Sequence, residues 1–235
     1  MLEFVGIAVG SGEALGCARC GDLSLPVYDA TGDIVARIRD VAATWKAAPG
    51  PNILIDGPEP FAHPELPALI AACVEAGVER VALETDGAAL SVPANAVGVL
   101  GAGVRHLLIR ILDGEPERGD SLGGRPGRTH DALSGVKSYL DAAERAGVTV
   151  SVTAIVPVCE HNVGTLPETV GRLASAGFHG VRLASTGKLP RSAVVAVAAA
   201  CDTGMVNRLW VESDGLLPLP ETHRLHAVAG QVPRG

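Results

Sequence analysis

The stretch NILIDGPEPFAHPELPALIAACVEAGVERVALETDG, residues 52–87, decides the fold. Residues 52–55, NILI, read as a short buried strand. The turn residues Asp56-Gly57-Pro58 end it. Residues 64–76 read as a helix, with Pro64 at its first position, Leu66, Leu69, Ile70 and Cys73 on one face, and Gly77 as its stop. Residues 78–84, VERVALE, are the next strand. Two strands joined through a helix rather than a tight hairpin run parallel.

The same unit repeats outward in both directions. Toward the N-terminus lie a strand at 3–9 and a helix at 33–46 with Ile34, Ile38, Val41 and Trp45 on one stripe. Toward the C-terminus come a small-residue helix at 93–101, a strand at 104–112, and a helix at 131–146 carrying Leu133, Val136, Leu140 and Ala143 before Gly147. A β-branched strand at 148–156, a helix at 165–176 ending at Gly177, a strand at 180–184, a helix at 190–200 and a strand at 207–212 complete the series. About six βα units and one further strand make a parallel α/β protein. A full eight-unit barrel takes about 250 residues, so the pattern fits an open sheet or a barrel short of one or two strands. The segment 114–128 reads as a long polar loop of the functional or mobile kind. One domain is expected over 1–213, and an irregular tail with Pro218, Pro220 and Pro233 over 214–235.

Composition narrows the function. Of 235 residues, 47% are apolar and 19% charged, which excludes disorder as the main state. Aromatics make up 3%, so the core must be aliphatic. Nineteen basic against 26 acidic residues leave a net charge of −7, without the basic excess expected for gripping nucleic acid or an anionic membrane. There is no apolar run long enough to span a bilayer and no basic n-region at Met1, so a cytoplasmic location is expected. Five cysteines, an odd number in a chain this long, do not suit a disulfide-stapled secreted fold.

Ligands of parallel α/β folds sit beyond the C-terminal ends of the strands. There the sequence places Glu13, Cys17 and Cys20, then Asp56-Gly57-Pro58-Glu59-Pro60, then Thr85-Asp86-Gly87. Arg110, Asp113 and Gly114 follow, then Cys159, His161 and Asn162, then Ser185, Thr186 and Lys188. Cys17 and Cys20, three residues apart, can bind one metal or the irons of a cluster. Two unremarkable loop cysteines, or a zinc site completed by Cys159 and His161, are the alternatives. Pro58 and Pro60 keep Glu59 out of a helix and suit it as a rigid acceptor for an ammonium group. An exposed acid in an ordinary turn fits equally well. Arg110 stands inside an apolar strand, on one face with His106 and Leu108, and needs an anion. A bound carboxylate, or an internal pair with Glu84 or Asp113, meets that need.

Together these motifs resemble the radical S-adenosylmethionine (SAM) superfamily over about residues 3–185. The cysteine loop follows the first strand. Gly57-Pro58-Glu59-Pro60 is similar to a Gly-Gly-Glu-Pro motif after the second, Thr85-Asp86-Gly87 to a Thr-Asn-Gly after the third, and Leu112-Asp113-Gly114 to the end of a Ser-Leu-Asp-Gly at the fourth. The resemblance implies a partial parallel (β/α)6-type TIM-like barrel. It implies a [4Fe–4S] cluster on three cysteines, and SAM bound to the cluster and cleaved reductively. Glu59 then matches the acid that receives the SAM ammonium group, and Arg110 a contact of its carboxylate. Gly57 and Thr85 join them as cofactor-binding positions.

The chain departs from the family at its first cysteine, where Glu13 stands, so the motif is Glu13-x-x-x-Cys17-x-x-Cys20. Carboxylate is a harder donor than thiolate and suits a sulfide cluster less well. Cys159 is the other candidate for a third thiolate. Pro58 in place of the second glycine removes a backbone N–H. Two functions follow from the resemblance. One is a radical SAM enzyme acting on a small molecule or peptide, its catalytic residue unidentified. The other is a pseudoenzyme that keeps the barrel without the cluster and serves as a binding subunit or as the partner of an active radical SAM subunit. His223 and His226, in the tail, read as exposed residues, with ligands or substrate contacts as the alternative.

Overall fold

The computed structural model describes residues 5–8, 34–44, 52–185 and 193–213. Strands β1 (Val5–Ala8), β2 (Asn52–Asp56), β3 (Arg80–Thr85) and β4 (Val104–Arg110) alternate with helices α1 (Ile34–Thr44), α2 (Leu66–Glu75) and α3 (Pro93–Ala102). Two helices follow in succession, α4 (Pro116–Gly123) and α5 (Arg128–Ala146). Then come β5 (Ser151–Val158), α6 (Leu166–Ser175), β6 (Gly180–Ser185), α7 (Ala193–Val206) and β7 (Trp210–Ser213). The expected alternation of strand and helix is therefore present. The chain divides into two compact units. One holds β1 to β4, α1 to α3 and most of α5, and the other holds residues 111–130 and those from Thr153 onward.

In the first unit the strands run parallel in the order β1-β2-β3-β4, pairing Ile7 with Ile55, Ile55 with Leu83, and Leu83 with Leu107. Alternation sorts the side chains into two faces. Ile53, Ile55, Val81, Leu83, Leu107 and Ile109 are at most 2% exposed. Each such burial contributes about 1.5–3 kcal/mol. The other face is half-buried at Leu54, Asp56, His106 and Leu108 and carries the buried charges Glu84 and Arg110. Helix α5 is fixed to this unit by Tyr139, fully buried, whose hydroxyl donates to the Val104 carbonyl at 3.0 Å. Gly135 lets α5 approach the turn after β3, for a Cβ there would stand 2.2 Å from the Gly87 carbonyl oxygen.

In the second unit β5, β6 and β7 are also parallel, with Val156 beside Leu183 and Leu183 beside Ser213. Helices α6 and α7 belong to the same unit.

Several boundaries differ from the sequence reading. The segment 114–128 is not a long loop. It contains α4, which has Pro116 in its first turn, Glu117 where the helix dipole favours an acid, and Gly124 as its stop. Pro64 does not open α2; it lies in a turn, and Pro67 takes the first-turn position. The Leu66 N–H is met by the His63 carbonyl at 3.2 Å, which sets that turn. β5 starts at Ser151 rather than 148 because Val148 donates back to Ala143 to close α5. Helix α7 runs on to Val206, and Asn207, Arg208 and Leu209 donate back to its last turn, so β7 begins only at Trp210. No helix among the described residues is long and apolar enough to cross a membrane. The tail at 214–235, with His223 and His226, lies outside the described residues.

Candidate functional site

The polar groups of the first unit converge where β2, β3 and β4 end. Glu59 sits between two prolines in extended backbone, φ −156° and ψ 105°, and caps the 3-10 turn Pro60–Ala62. Its Oε1 accepts the Phe61 N–H at 3.1 Å and the Thr85 hydroxyl at 2.6 Å. Its Oε2 accepts the Asp86 N–H at 2.9 Å. One carboxylate thus ties the loop after β2 to the end of β3. Thr85, with no exposure, donates to Glu59 and accepts the Gly87 N–H at 3.1 Å. Asp86 accepts the Ala88 N–H at 3.0 Å through Oδ1, which fixes the turn that presents its own N–H.

Arg110 ends β4 and is 5% exposed. Its Nη1 donates to the Gly57 carbonyl at 3.0 Å and its Nη2 to the Pro58 carbonyl at 2.6 Å. Gly57 adopts φ 122°, a conformation other residues rarely take, as it presents that carbonyl. The guanidinium lies 3.8 Å from Glu59 Oε2 and 3.8 Å from Glu84 Oε1. Its Nε–H is buried and has no hydrogen-bond acceptor. A buried donor without a partner costs about 1–3 kcal/mol.

Asp56 completes the group. It follows Ile55 as Glu84 follows the paired Leu83, so strand alternation puts both carboxylates on the face that bears Arg110. Burial pushes the Asp56 carboxyl up from its ordinary range, and the Arg110 charge and a backbone hydrogen bond oppose the rise.

The structure thus brings together Gly57, Glu59, Thr85 and Arg110. Of the two internal partners expected for Arg110, Glu84 is beside it. Asp113 instead accepts from Arg118, Glu115 and Thr165. Glu13, Cys17, Cys20 and Lys188 lie outside the described residues. Cys159 is a buried free thiol whose N–H donates to Asn162 Oδ1 at 2.9 Å. Asn162 donates in turn to the Leu112 and Pro157 carbonyls, a backbone clip for this turn. His161 lies 3.4 Å from Glu160. Among the described residues no three His, Cys, Asp or Glu side chains group to hold a metal ion. Asp56 is a member of the site that the sequence reading does not single out. Its signal is there, an acid one step past an apolar strand and in phase with Leu54, but phase across strands needs the register.

No family profile and no curated protein matches this chain. Solved structures do. SuiB of Streptococcus suis bound to its precursor peptide SuiA aligns with a TM-score of 0.59 at 12% identity, covering 90% of this chain and 49% of SuiB. Methylornithine synthase (PylB) aligns with a TM-score of 0.56 at 10% identity, covering 88% of this chain and 64% of PylB. SuiB bound to S-adenosylmethionine aligns with a TM-score of 0.53 at 12% identity, covering 77% of this chain and 42% of SuiB. The chain therefore spans less than two thirds of each neighbour. The shared feature is the fold, a parallel α/β architecture of the partial TIM-like barrel type.

Proposed function

We propose that this chain is a radical-SAM-like protein that binds a [4Fe–4S] cluster and S-adenosylmethionine and modifies a small molecule or peptide. The observation that carries the reading is the buried Arg110 Nε–H without an acceptor, set among Asp56, Glu59 and Glu84 at the strand ends of this fold. An amino-acid head group brings a carboxylate for the one and an ammonium for the others, so the residues present fit the aminoacyl part of SAM.

In this reading Arg110 binds the carboxylate, and its bonds to the Gly57 and Pro58 carbonyls hold its orientation. The carbonyls of these two residues thus brace the arginine whether or not Pro58 offers an N–H. Thr85, itself buried, orients Glu59 through its hydroxyl. Cys17 and Cys20 would hold the cluster, with Glu13 as the third donor. Two thiolates suit iron–sulfur ligation, and the carboxylate makes the cluster labile. Bound together, cluster and SAM supply one-electron reductive cleavage of a C–S bond and hydrogen abstraction from the substrate.

Glu13 also favours a second reading, a pseudoenzyme that has lost the cluster and acts as a binding or partner subunit. Anaerobic reconstitution with iron and sulfide separates the two. An enzyme takes up about four irons per chain and gives, after reduction, an EPR signal that SAM perturbs. A colourless protein that becomes coloured only as Glu13→Cys overturns the enzyme reading in favour of the pseudoenzyme.

A further inference from the structure

We propose that Asp56, rather than Glu59, receives the ammonium of the bound amino-acid head group, while the head group's carboxylate takes the Arg110 Nε–H. This rests on the SAM reading above and changes which acid binds the ligand.

Three observations lead to it. First, Glu59 is already committed. It accepts three donors from Phe61, Thr85 and Asp86, and Arg110 Nη2 stands 3.8 Å from its second oxygen. A carboxylate offers about four acceptor positions, so an ammonium here would share the last with a guanidinium of the same sign. Second, the guanidinium nitrogen of Arg110 that meets no acceptor is Nε, whereas Nη1 and Nη2 each donate to a carbonyl, of Gly57 and of Pro58. Nε lies 3.8 Å from Glu84, on the face of the sheet that alternation gives to Asp56. A carboxylate drawn to Nε brings its own ammonium, one carbon away, to this face. Third, Asp56 is half-buried, and burial disfavours its charge more than Arg110 restores it. A second cation beside it answers that imbalance.

Arg110 stands 3.8 Å from Glu59 and 3.8 Å from Glu84, and its charge also acts on Asp56. A zwitterionic head group satisfies the orphan donor and sets a cation beside Asp56 without adding net charge. An anion alone or an alkylamine alone would do only one of these.

Calorimetric titration of the full chain, after anaerobic incubation with iron and sulfide, tests the assignment with two ligands. S-adenosylhomocysteine carries the head group, and methylthioadenosine lacks it. Asp56→Asn is expected to weaken S-adenosylhomocysteine about tenfold or more and to leave methylthioadenosine unchanged. Asp56→Glu, which keeps the charge, recovers part of the loss. Glu59→Gln is expected to lower the melting temperature and to weaken S-adenosylhomocysteine less than Asp56→Asn does. Should Glu59→Gln not fold, Thr85→Val loosens the same staple and takes its place. If Asp56→Asn leaves S-adenosylhomocysteine within about twofold, or weakens both ligands alike, the assignment to Asp56 is wrong while the SAM reading stands. If neither ligand binds the unmodified chain, both fall.

Discussion

Two clusters of acid and arginine flank the end of β4 in the sequence, and they are built to different degrees of completion. The first, around Arg110, belongs to the β1–β4 unit. The second, around Asp113, belongs to the other. Asp113 is fully buried, and four donors meet it: the Glu115 N–H at 2.8 Å, Arg118 Nη2 and Nε at 3.1 Å each, and the Thr165 hydroxyl at 3.1 Å. The two-pronged contact raises the Arg118 pKa above its ordinary value. Outside it, Arg118 and Arg172 each reach Glu168 at 3.1 Å, and Arg172 also pairs with Glu115. Gly114 packs against Thr169 and Arg172, where a Cβ would come within 3.0 Å. Every valence of Asp113 is used within the protein, which is what a structural joint requires. Arg110 is nearly as deeply buried, yet a donor is left over and three acids surround it. The closed network holds α4 in place, and the open one is where the head group is proposed to bind.

The largest effect is expected where the network is closed. Asp113→Ala leaves the Glu115 N–H without its acceptor, leaves the Thr165 hydroxyl only the Asn162 carbonyl, and frees α4 from its anchor. The loss should be about 3 kcal/mol, measured by urea unfolding. A loss under about 1 kcal/mol would mean that Arg118, with a side chain 36% exposed, is held as well by Glu168, and that the joint is redundant.

A smaller effect is expected within the open cluster. Thr85→Val keeps the shape of a fully buried side chain but removes the hydroxyl that donates to Glu59 and accepts from Gly87. The cost should be about 1–2 kcal/mol, again by urea unfolding. An unchanged midpoint would show that the Phe61 and Asp86 N–H groups hold Glu59 unaided, and the contrast between staple and ligand acid would weaken.

The fold was legible because its signals are local. Apolar runs such as Ile53–Ile55 and stops such as Gly77, Gly147 and Gly177 need no knowledge of neighbours, and each marks an element where expected. Helix α4 was not legible, because its polar sequence PERGDSLG carries no apolar stripe. Its end signals Pro116, Glu117 and Gly124 are local, but its anchor at Asp113 belongs to a network that also takes in Thr165, far along the chain. The candidate site was legible in part. Glu59 and Arg110 stood out because charge in apolar or proline-bound surroundings is conspicuous in any sequence. Their division of labour did not, because it depends on which donors reach Glu59 across 26 or 27 residues and on which nitrogen of Arg110 is left over.

The smallest effect concerns Asp56 and has the opposite sign. A carboxyl whose pKa is raised on folding binds its proton more tightly in the folded state than in the unfolded one. Its contribution to stability is therefore full below the ordinary value of 3.8 and declines as pH rises through the raised folded value. The amide introduced by Asp56→Asn does not titrate. That variant should thus be as stable as the unmodified chain or more so at about pH 7.5, with the advantage shrinking as pH falls toward the ordinary carboxyl range. Melting temperatures of the two proteins across that span give the difference directly, since every other carboxyl is common to both. A stabilised Asp56→Asn that binds the head group poorly would mark Asp56 as a residue kept at a cost to the fold. A destabilised one at neutral pH would make Asp56 a structural partner of Arg110, and the two clusters would then differ less than their hydrogen bonds indicate.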